Sequence, residues 1–217
     1  MRLQSAIFDM DGTLLDSMQM WRNLYRDVVV DLGKEPQPDF VERVKPLTLR
    51  EAAVYCKEAH DLPMTVEDVI ARFEQRVDTF YRTEVQAKPG LKEFLSLLKM
   101  EGVWMYVATA TDRPLAEAAL RHAGISDYFR GMVTVAEAGA GKESPEIFER
   151  ALRRLRSNKK DTVVFEDALH AIQTAKNAGF RVAAVYDPSA EDDQEEIRAI
   201  ADYYIRSFTE MFDDNPL

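Results

Sequence analysis

Two aspartates stand two residues apart at the end of a short apolar run. Asp9 and Asp11 belong to the segment Phe8–Thr13, and Gly12 after them gives the chain freedom to turn sharply. If the apolar run is a strand, both carboxylates project from the carboxyl edge of a sheet, where open α/β folds bind ligands. One carboxylate there can act as a nucleophile while its neighbour transfers a proton. Because two such charges repel each other, the pair also predicts a bound cation, and Mg²⁺ is the hard, oxygen-binding ion that fits.

An Asp-x-Asp-Gly segment can also be part of a calcium-binding loop or a solvated acidic turn. A calcium loop needs further polar ligands after the pair and a Glu about twelve residues along. Thr13 and Leu15 stand in the stretch where those ligands should be. The sequence therefore excludes the calcium loop.

Short apolar runs, each followed by a turn and a helical pattern, continue along the chain. Their hydrophobicity is continuous rather than alternating, which is typical of strands buried on both faces of a parallel sheet. The predicted strands are Ala6–Phe8, Val103–Ala108, Gly131–Val135, Thr162–Phe165 and Val182–Val185. Helices are predicted for Pro114–Ala123, Pro145–Leu155 and Ala168–Ala178. The second has Ser144 as its N-cap and proline as its first residue. This order predicts a doubly wound, Rossmann-like α/β core with a parallel sheet.

Residues 17–87 interrupt this alternation. Their apolar residues recur at helical spacing, as in Met20, Leu24 and Val28, with breaks at Gly33–Pro38, Pro46 and Pro63. We therefore predict an inserted, all-helical cap domain at 17–87 and a core domain formed by residues 1–16 and 88–217. The last few residues, 213–216, are predicted to be frayed.

With these elements in place, the segment DMDGTLLDS at 9–17 resembles the first signature of the haloacid dehalogenase-like hydrolases, specifically the helical-cap members related to phosphoglycolate phosphatase and β-phosphoglucomutase. The segment GKESPEIF around Lys142 is similar to a later signature, although Glu143 replaces a common Pro. The resemblance covers essentially the whole chain. It implies that Thr109 and the Ala110 amide bind a phosphate oxygen and that Lys142 balances negative charge. It also implies that the acidic pair Glu166 and Asp167 binds metal, with Asp167 the stronger ligand.

The resemblance implies a two-step hydrolysis of a phosphate monoester on a small metabolite. Asp9 attacks phosphorus to give an aspartyl-phosphate, while Asp11 protonates the leaving alcohol and later deprotonates water. Mg²⁺ would be held by the Asp9 carboxylate, the Asp11 backbone carbonyl and Asp167. The cap would close over the substrate, and Trp21, Arg50 and Arg113 are candidate substrate contacts. Alternatively, Trp21 packs inside the cap and the two arginines are solvated.

Three other functions remain to be weighed. A β-phosphoglucomutase-like mutase is the alternative enzyme, but Thr13 is a phosphatase-like residue and positions 18–21 lack the His of such mutases. A catalytically silent binder of phosphorylated ligands or proteins would be expected to have lost catalytic residues, and all are intact. Hydrolysis of a carbon–halogen bond in this family needs neither a metal nor an acid at the position of Asp11, so the presence of Asp11 argues against that reaction.

Composition limits the partners of this chain. It has 217 residues, 46% of them hydrophobic, and a formal net charge of −10, which disfavours nucleic acid and anionic membranes as partners. The single cysteine, Cys56, allows neither an intramolecular disulfide nor a cysteine-based zinc site. Because the sequence has no signal peptide and no apolar run of about 18 residues, we expect a cytoplasmic protein. A monomer is expected, and a dimer is the alternative.

Overall fold

The computed structural model describes residues 3–212, so the frayed end predicted at 213–216 lies outside the described residues. The described chain forms two compact units. One joins residues 3–17 with 85–212, and the other is the continuous segment Met18–Glu84. Across residues 3–212, no helix has both the length and the apolar character needed to cross a bilayer.

A parallel sheet of six strands forms the centre of the first unit. The strands are β1 (Ser5–Phe8), β2 (Trp104–Thr109), β3 (Phe129–Thr134), β4 (Thr162–Glu166), β5 (Arg181–Val185) and β6 (Tyr203–Ile205). Their order is β3-β2-β1-β4-β5-β6, with β1 between β2 and β4. In this register, Phe8 lies opposite Val107 on one side and Phe165 on the other. The apolar runs therefore predict five of these six strands. The short edge strand β6 is not among the predicted ones.

Six helices belong to this unit. They are α5 (Leu91–Met100), α6 (Arg113–His122), α7 (Val135–Ala138), α8 (Glu146–Leu155), α9 (Leu169–Asn177) and α10 (Gln194–Ile200). Short 3₁₀ turns add Ser126–Tyr128, Lys159–Asp161, Pro188–Asp193 and Phe208–Phe212.

Alternate residues of the central strands pack into two separate layers. On one face, Phe8 stacks on Phe165 with ring centroids 4.3 Å apart, and Phe94 of α5 meets the edge of that stack. Ile7 belongs to the opposite layer, where it is fully buried with Phe148 of α8. Since both faces of the sheet are covered by helices, the prediction of a doubly wound α/β core is confirmed.

The second unit is all helical. It contains α1 (Met18–Asp31), α2 (Phe40–Val44), α3 (Leu49–Ala59) and α4 (Val66–Thr83). Thr48 and Thr65 each form a complete capping box at the start of α3 and α4, which satisfies otherwise unpaired backbone N–H groups. The breaks between these helices fall where Gly and Pro predict them.

The boundaries of the helical unit differ slightly from the predicted 17–87. Ser17 and residues 85–87 group with the core. Their contacts explain this, because Leu15 forms an antiparallel bridge with Ala87 and the Asp16 N–H donates to the Gln86 carbonyl at 3.0 Å. The two connections between the units therefore run side by side as part of the core.

Several predicted element boundaries shift by one or two residues. Val135 begins α7 instead of ending β3, because Thr134 and Glu137 form a capping box. α6 begins one residue before Pro114, and α8 begins one residue after Pro145. In both cases proline still lies in the first turn or immediately before it, where its missing N–H is tolerated.

Candidate active site

The sheet topology brings the two acidic segments together. Asp9 follows β1, and its backbone N–H donates to the Phe165 carbonyl of β4 at 2.9 Å. Glu166 ends β4 and Asp167 comes next. Because β1 and β4 are parallel neighbours, their carboxyl ends meet at the same edge of the sheet.

Three carboxylates form a buried cluster at this edge. Oxygen atoms of Asp9, Glu166 and Asp167 lie within 4.8 Å of one another. Lys142 is also buried, and its Nζ contacts Asp9 Oδ1 and lies 2.5 Å from Glu166 Oε1. One lysine and three carboxyl groups thus occupy a site with little access to water. A divalent cation would neutralise the remaining charge, and oxygen donors are the ligands that Mg²⁺ prefers.

Burial and mutual repulsion disfavour ionisation of these carboxyl groups. Burial raises the pKa of Asp9 to about 7, since the opposing attraction of Lys142 is weaker and Glu166 adds repulsion. The pKa of Asp167 lies well above its usual range for the same reasons, burial first and then the charges of Glu166 and Asp9. Burial lowers the pKa of Lys142, but the charges of Asp9 and Glu166 outweigh it and hold that pKa above its ordinary value.

Glu166 supports the cluster in a second way. Its Oε2 accepts hydrogen bonds from the backbone N–H groups of Asp167, at 2.8 Å, and Ala168, at 3.0 Å. With Lys142 on its other oxygen, Glu166 has both oxygens engaged. Asp167 is engaged less, since its Oδ1 accepts one hydrogen bond, from Thr13 Oγ1 at 2.9 Å. This difference supports ranking Asp167 above Glu166 as a metal ligand.

Gly12 lies directly against the Asp167 carboxylate. Its φ of +86° is a left-handed conformation that glycine adopts without strain. A Cβ at this position would collide with Asp167 Oδ2, and it would come within 2.7 Å of Asp167 Cγ. The glycine therefore serves both the turn after Asp11 and the position of a candidate metal ligand.

Gly12→Ala is expected to lower the free energy of unfolding by about 2 kcal/mol or more, because it adds left-handed strain to a steric clash. It should also weaken metal binding, since Asp167 must move. Chemical denaturation and metal titration of the purified variant measure both effects. Gly33→Ala is a matched control, because Gly33 also has a positive φ but nothing lies within 4 Å of its added Cβ. Equal metal affinity in the two variants would contradict the assigned role of Gly12.

Asp11 is held apart from the carboxylate cluster. Its Oδ1 accepts a hydrogen bond from Ser17 Oγ at 2.6 Å, and its Oδ2 accepts one from Thr111 Oγ1 at 2.7 Å. The carboxylate is thus oriented by two hydroxyl groups from different loops. The two aspartates therefore have different surroundings, as the nucleophile and proton-transfer roles predicted for them require. The structure shows the Asp11 side chain outside the cluster, and its backbone carbonyl as a metal ligand stays a prediction.

Thr109 ends β2 at the same edge of the sheet. It is fully buried, and its Oγ1 accepts the backbone N–H of Thr111 at 3.0 Å. Ala110, between them, is exposed. This places a hydroxyl and an exposed alanine beside the strand that leads to Asp9.

Each of the three predicted substrate contacts has a side-chain partner within its own unit. Arg113 directs its guanidinium to Glu137, with bonds of 2.6 and 2.9 Å. Arg50 pairs with Glu67 at 2.8 Å inside the helical unit. Trp21, in the same unit, donates its indole N–H to a tyrosine hydroxyl at 3.0 Å. A substrate role for either arginine would require these ion pairs to break.

Sequence reasoning missed three residues that position the acidic groups. Thr13, which the sequence uses as a sign of reaction type and against a calcium loop, donates to Asp167. Ser17 and Thr111 hold Asp11. A usable signal existed, since all three are hydroxyl residues in the loops that directly follow β1 and β2.

Comparison with known proteins agrees with this geometry. The family model described as haloacid dehalogenase-like hydrolase matches residues 6–185. The phosphorylated carbohydrates phosphatase of Thermotoga maritima is 30% identical over 177 residues, 82% of each chain. Hexitol phosphatase B of Escherichia coli K12 is 26% identical over 219 residues, covering 97% of this chain and 95% of its own. A T. maritima crystal structure under the provisional name β-phosphoglucomutase is 28% identical, with a TM-score of 0.85 over 99% of this chain and all of that chain.

The family match spans most of the chain, and the signature residues meet at one edge of the sheet. The resemblance inferred from the sequence is confirmed: this chain belongs to the haloacid dehalogenase-like hydrolase family.

Proposed function

We propose that this enzyme is a Mg²⁺-dependent phosphatase that hydrolyses a small phosphorylated metabolite through an aspartyl-phosphate on Asp9. The observation that carries the proposal is the separation of the two aspartates. Asp9 lies in a buried cluster beside Lys142, whereas Asp11 is oriented by two hydroxyls outside that cluster. A nucleophile and a proton-transfer group need this division.

The acidic cluster fits a divalent metal. Its donors are all carboxylate oxygens, and the absence of a Cβ at Gly12 leaves Asp167 room beside the turn. Asp9 and Asp167 would hold the ion, with the Asp11 backbone carbonyl as a further ligand and Glu166 as a supporting one. When bound, Mg²⁺ would supply charge neutralisation for the nucleophile and the phosphoryl oxygens.

The residues then divide the reaction between them. One oxygen of Asp9 attacks phosphorus, and the bond between phosphorus and the leaving alcohol breaks as protonated Asp11 gives that alcohol its proton. Asp11, now a carboxylate, takes a proton from water, and the resulting hydroxide attacks phosphorus and releases Asp9. Lys142 and Thr109 hold phosphoryl oxygens through both steps, which stabilises charge in the transition state.

Phosphorylated sugars and sugar alcohols are the proposed substrate class. Two relatives that match over most of this chain carry phosphatase names for phosphorylated carbohydrates and hexitols. The mutase alternative has support from the provisional name of one similar structure. Thr13 argues for the phosphatase, because mutases of this kind typically have Val or Ile at this position after the glycine of the motif.

Phosphate release from a panel of sugar, hexitol and carboxylic-acid phosphates tests the proposal. Turnover should require added Mg²⁺ and stop when a chelator is present. The ranking of the esters would then define the substrate class. If folded, Mg²⁺-loaded protein released no phosphate from any ester but converted a sugar 1-phosphate to its 6-phosphate, the phosphatase proposal would be wrong and the mutase correct.

The raised pKa values of the cluster predict a pH-dependent metal affinity. In the metal-free protein, Asp9 has a pKa of about 7 and is partly protonated at neutral pH. The ion binds the carboxylate form, so metal binding should release protons and weaken as the pH falls below about 7. Calorimetric titration with Mg²⁺ between pH 6 and 8, in buffers of different ionisation enthalpy, measures the released protons. No proton release at pH 6.5 would contradict the stated pKa and the place of Asp9 in the metal site.

A further inference from the structure

A cavity of 520 Å³ in the core unit is lined by two aromatic residues and three arginines. These five residues are Trp104, Tyr106, Arg130, Arg154 and Arg156, and we call them the arginine groove. Tyr106 and Arg154 also line an adjoining cavity of 700 Å³. The residues of the acidic cluster line neither cavity, so the groove is a separate feature of the molecule.

The groove is positively charged, whereas the chain as a whole is negatively charged. The whole sequence carries a formal net charge of −10, yet this cavity has three guanidinium groups and no carboxylate. Elsewhere on α8, Arg150 and Arg153 both pair with Glu146. Within residues 3–212, the guanidinium groups of Arg154 and Arg156 have no such partner. Both side chains are exposed, and several positive charges close together attract an anion from solution.

Arg130 lies in a β-bulge and lines the groove. From Phe129 to Met132, β3 advances three residues while its neighbour β2 advances two, so one residue of β3 is extra. Phe129 packs against Phe8 in the aromatic layer, with ring centroids 5.9 Å apart. Arg130 therefore points to the opposite face, where its guanidinium lies 3.4 Å from the ring centroid of Trp104. Re-aiming a side chain is a common use of such bulges.

Arg156 is held in a conformation that usually belongs to glycine. It ends α8 with φ 53° and ψ 40°, in the left-handed region. Glycine is the usual residue at this point because other residues are strained there. Strain in a non-glycine residue often marks a side chain with a function. Here that side chain lines the groove.

The size and composition of the groove select a class of ligand. Small-molecule sites have volumes of about 300–1,000 Å³, which includes this cavity. Guanidinium groups bind phosphate through paired hydrogen bonds, and aromatic rings stack on nucleobases. A nucleic acid polymer is disfavoured, because the chain as a whole is strongly acidic and would repel a long polyanion. We propose that the arginine groove binds a nucleotide, with Arg154 and Arg156 on its phosphates and its base beside Trp104 and Tyr106.

Tryptophan fluorescence gives a direct test. The chain has two tryptophans, so Trp21→Phe leaves Trp104 as the only one. Adding Asp9→Asn to this variant prevents hydrolysis of the probe. Adenosine triphosphate should change the Trp104 emission saturably. Inorganic tripolyphosphate, which has the charges but no base, should bind about tenfold more weakly, because stacking on an aromatic ring is lost.

Variants separate the groove from other anion sites. Arg154→Gln is expected to weaken nucleotide binding by about tenfold or more, since it removes a charge-assisted hydrogen bond. Arg121→Gln is the matched control, an exposed arginine on α6 outside both cavities, and it should bind as the parent does. Titration calorimetry on the same variants detects nucleotide binding even if that binding does not change the Trp104 emission. Three results would each overturn the proposal: no saturable binding by either method, equal affinity in Arg154→Gln, or equal affinity for tripolyphosphate.

Discussion

Asp9→Asn is expected to reduce Mg²⁺-dependent phosphate release by roughly 10⁴-fold or more, because it removes the only proposed nucleophile while preserving side-chain shape. Phosphate release from the preferred ester, with and without Mg²⁺, measures this loss. Asp16→Asn is the matched control, since Asp16 belongs to the same motif but is exposed. Full activity in Asp9→Asn would show that the nucleophile assignment is wrong.

The stability of Asp9→Asn distinguishes lost chemistry from lost folding. The pKa of Asp9 is raised from its usual value to about 7 in the folded protein. Asp9 therefore contributes to the free energy of unfolding below pH 4, where it is protonated, and this contribution is lost as the pH rises through 7. Asparagine removes that loss, so without metal at pH 8 the variant should have a Tm no lower than that of the parent. A large drop in Tm would mean that lost activity reflects unfolding.

Lys142→Met is expected to reduce activity by at least about 10³-fold, because it removes charge stabilisation from the transferring phosphoryl group. It should also lower the free energy of unfolding by about 3 kcal/mol in metal-free protein, because Asp9 and Glu166 lose a buried partner. The stability loss should shrink as the pH falls towards 5, since carboxyl groups with raised pKa values take up protons. Urea unfolding at pH 5 and 8, together with phosphate release, measures both effects.

Lys88→Met supplies the matched control for this variant. Lys88 also forms a buried ion pair, with Asp187 at 2.8 Å, and its Nζ bonds the Tyr186 carbonyl. It takes no part in the proposed chemistry. This variant should therefore lose stability but retain activity well below its Tm. If Lys142→Met were as active as Lys88→Met, Lys142 would be a structural residue only.

The sequence predicts the centre of this fold well because central parallel strands must be apolar on both faces. The run TVVF of β4 has no other plausible place than a buried strand. Tyr203–Ile205 carries no such pattern, because an edge strand of three residues is partly exposed. The capping-box spacing of Thr134 and Glu137 indicates the start of α7. The apolar run that continues through Val135 indicates a longer strand instead, and that indication is wrong.

The candidate site could be predicted as a set of residue types, but not as a set of contacts. Signature spacing points to Asp9, Lys142 and Asp167, and strand pairing brings them together. Arg113 pairs with Glu117 at helical spacing, but it also pairs with Glu137, 24 residues away, and no periodicity predicts that second pair. The same holds for Thr111, whose hydroxyl reaches Asp11 across 100 residues of sequence. Such contacts depend on loop conformation, which side-chain patterns do not encode.

The central position of β1 has a consequence for biosynthesis. β1 comes early in the chain, yet its partners β2 and β4 begin at residues 104 and 162. At typical elongation rates of about 5–20 residues per second, the ribosome makes β2 roughly 5–20 s after β1. The continuous helical segment Met18–Glu84 is synthesised completely within that interval and can bury its own apolar residues. The apolar strand that leads to the nucleophile therefore stays without either strand partner until β2 has been synthesised, whereas the inserted helices can already pack on one another.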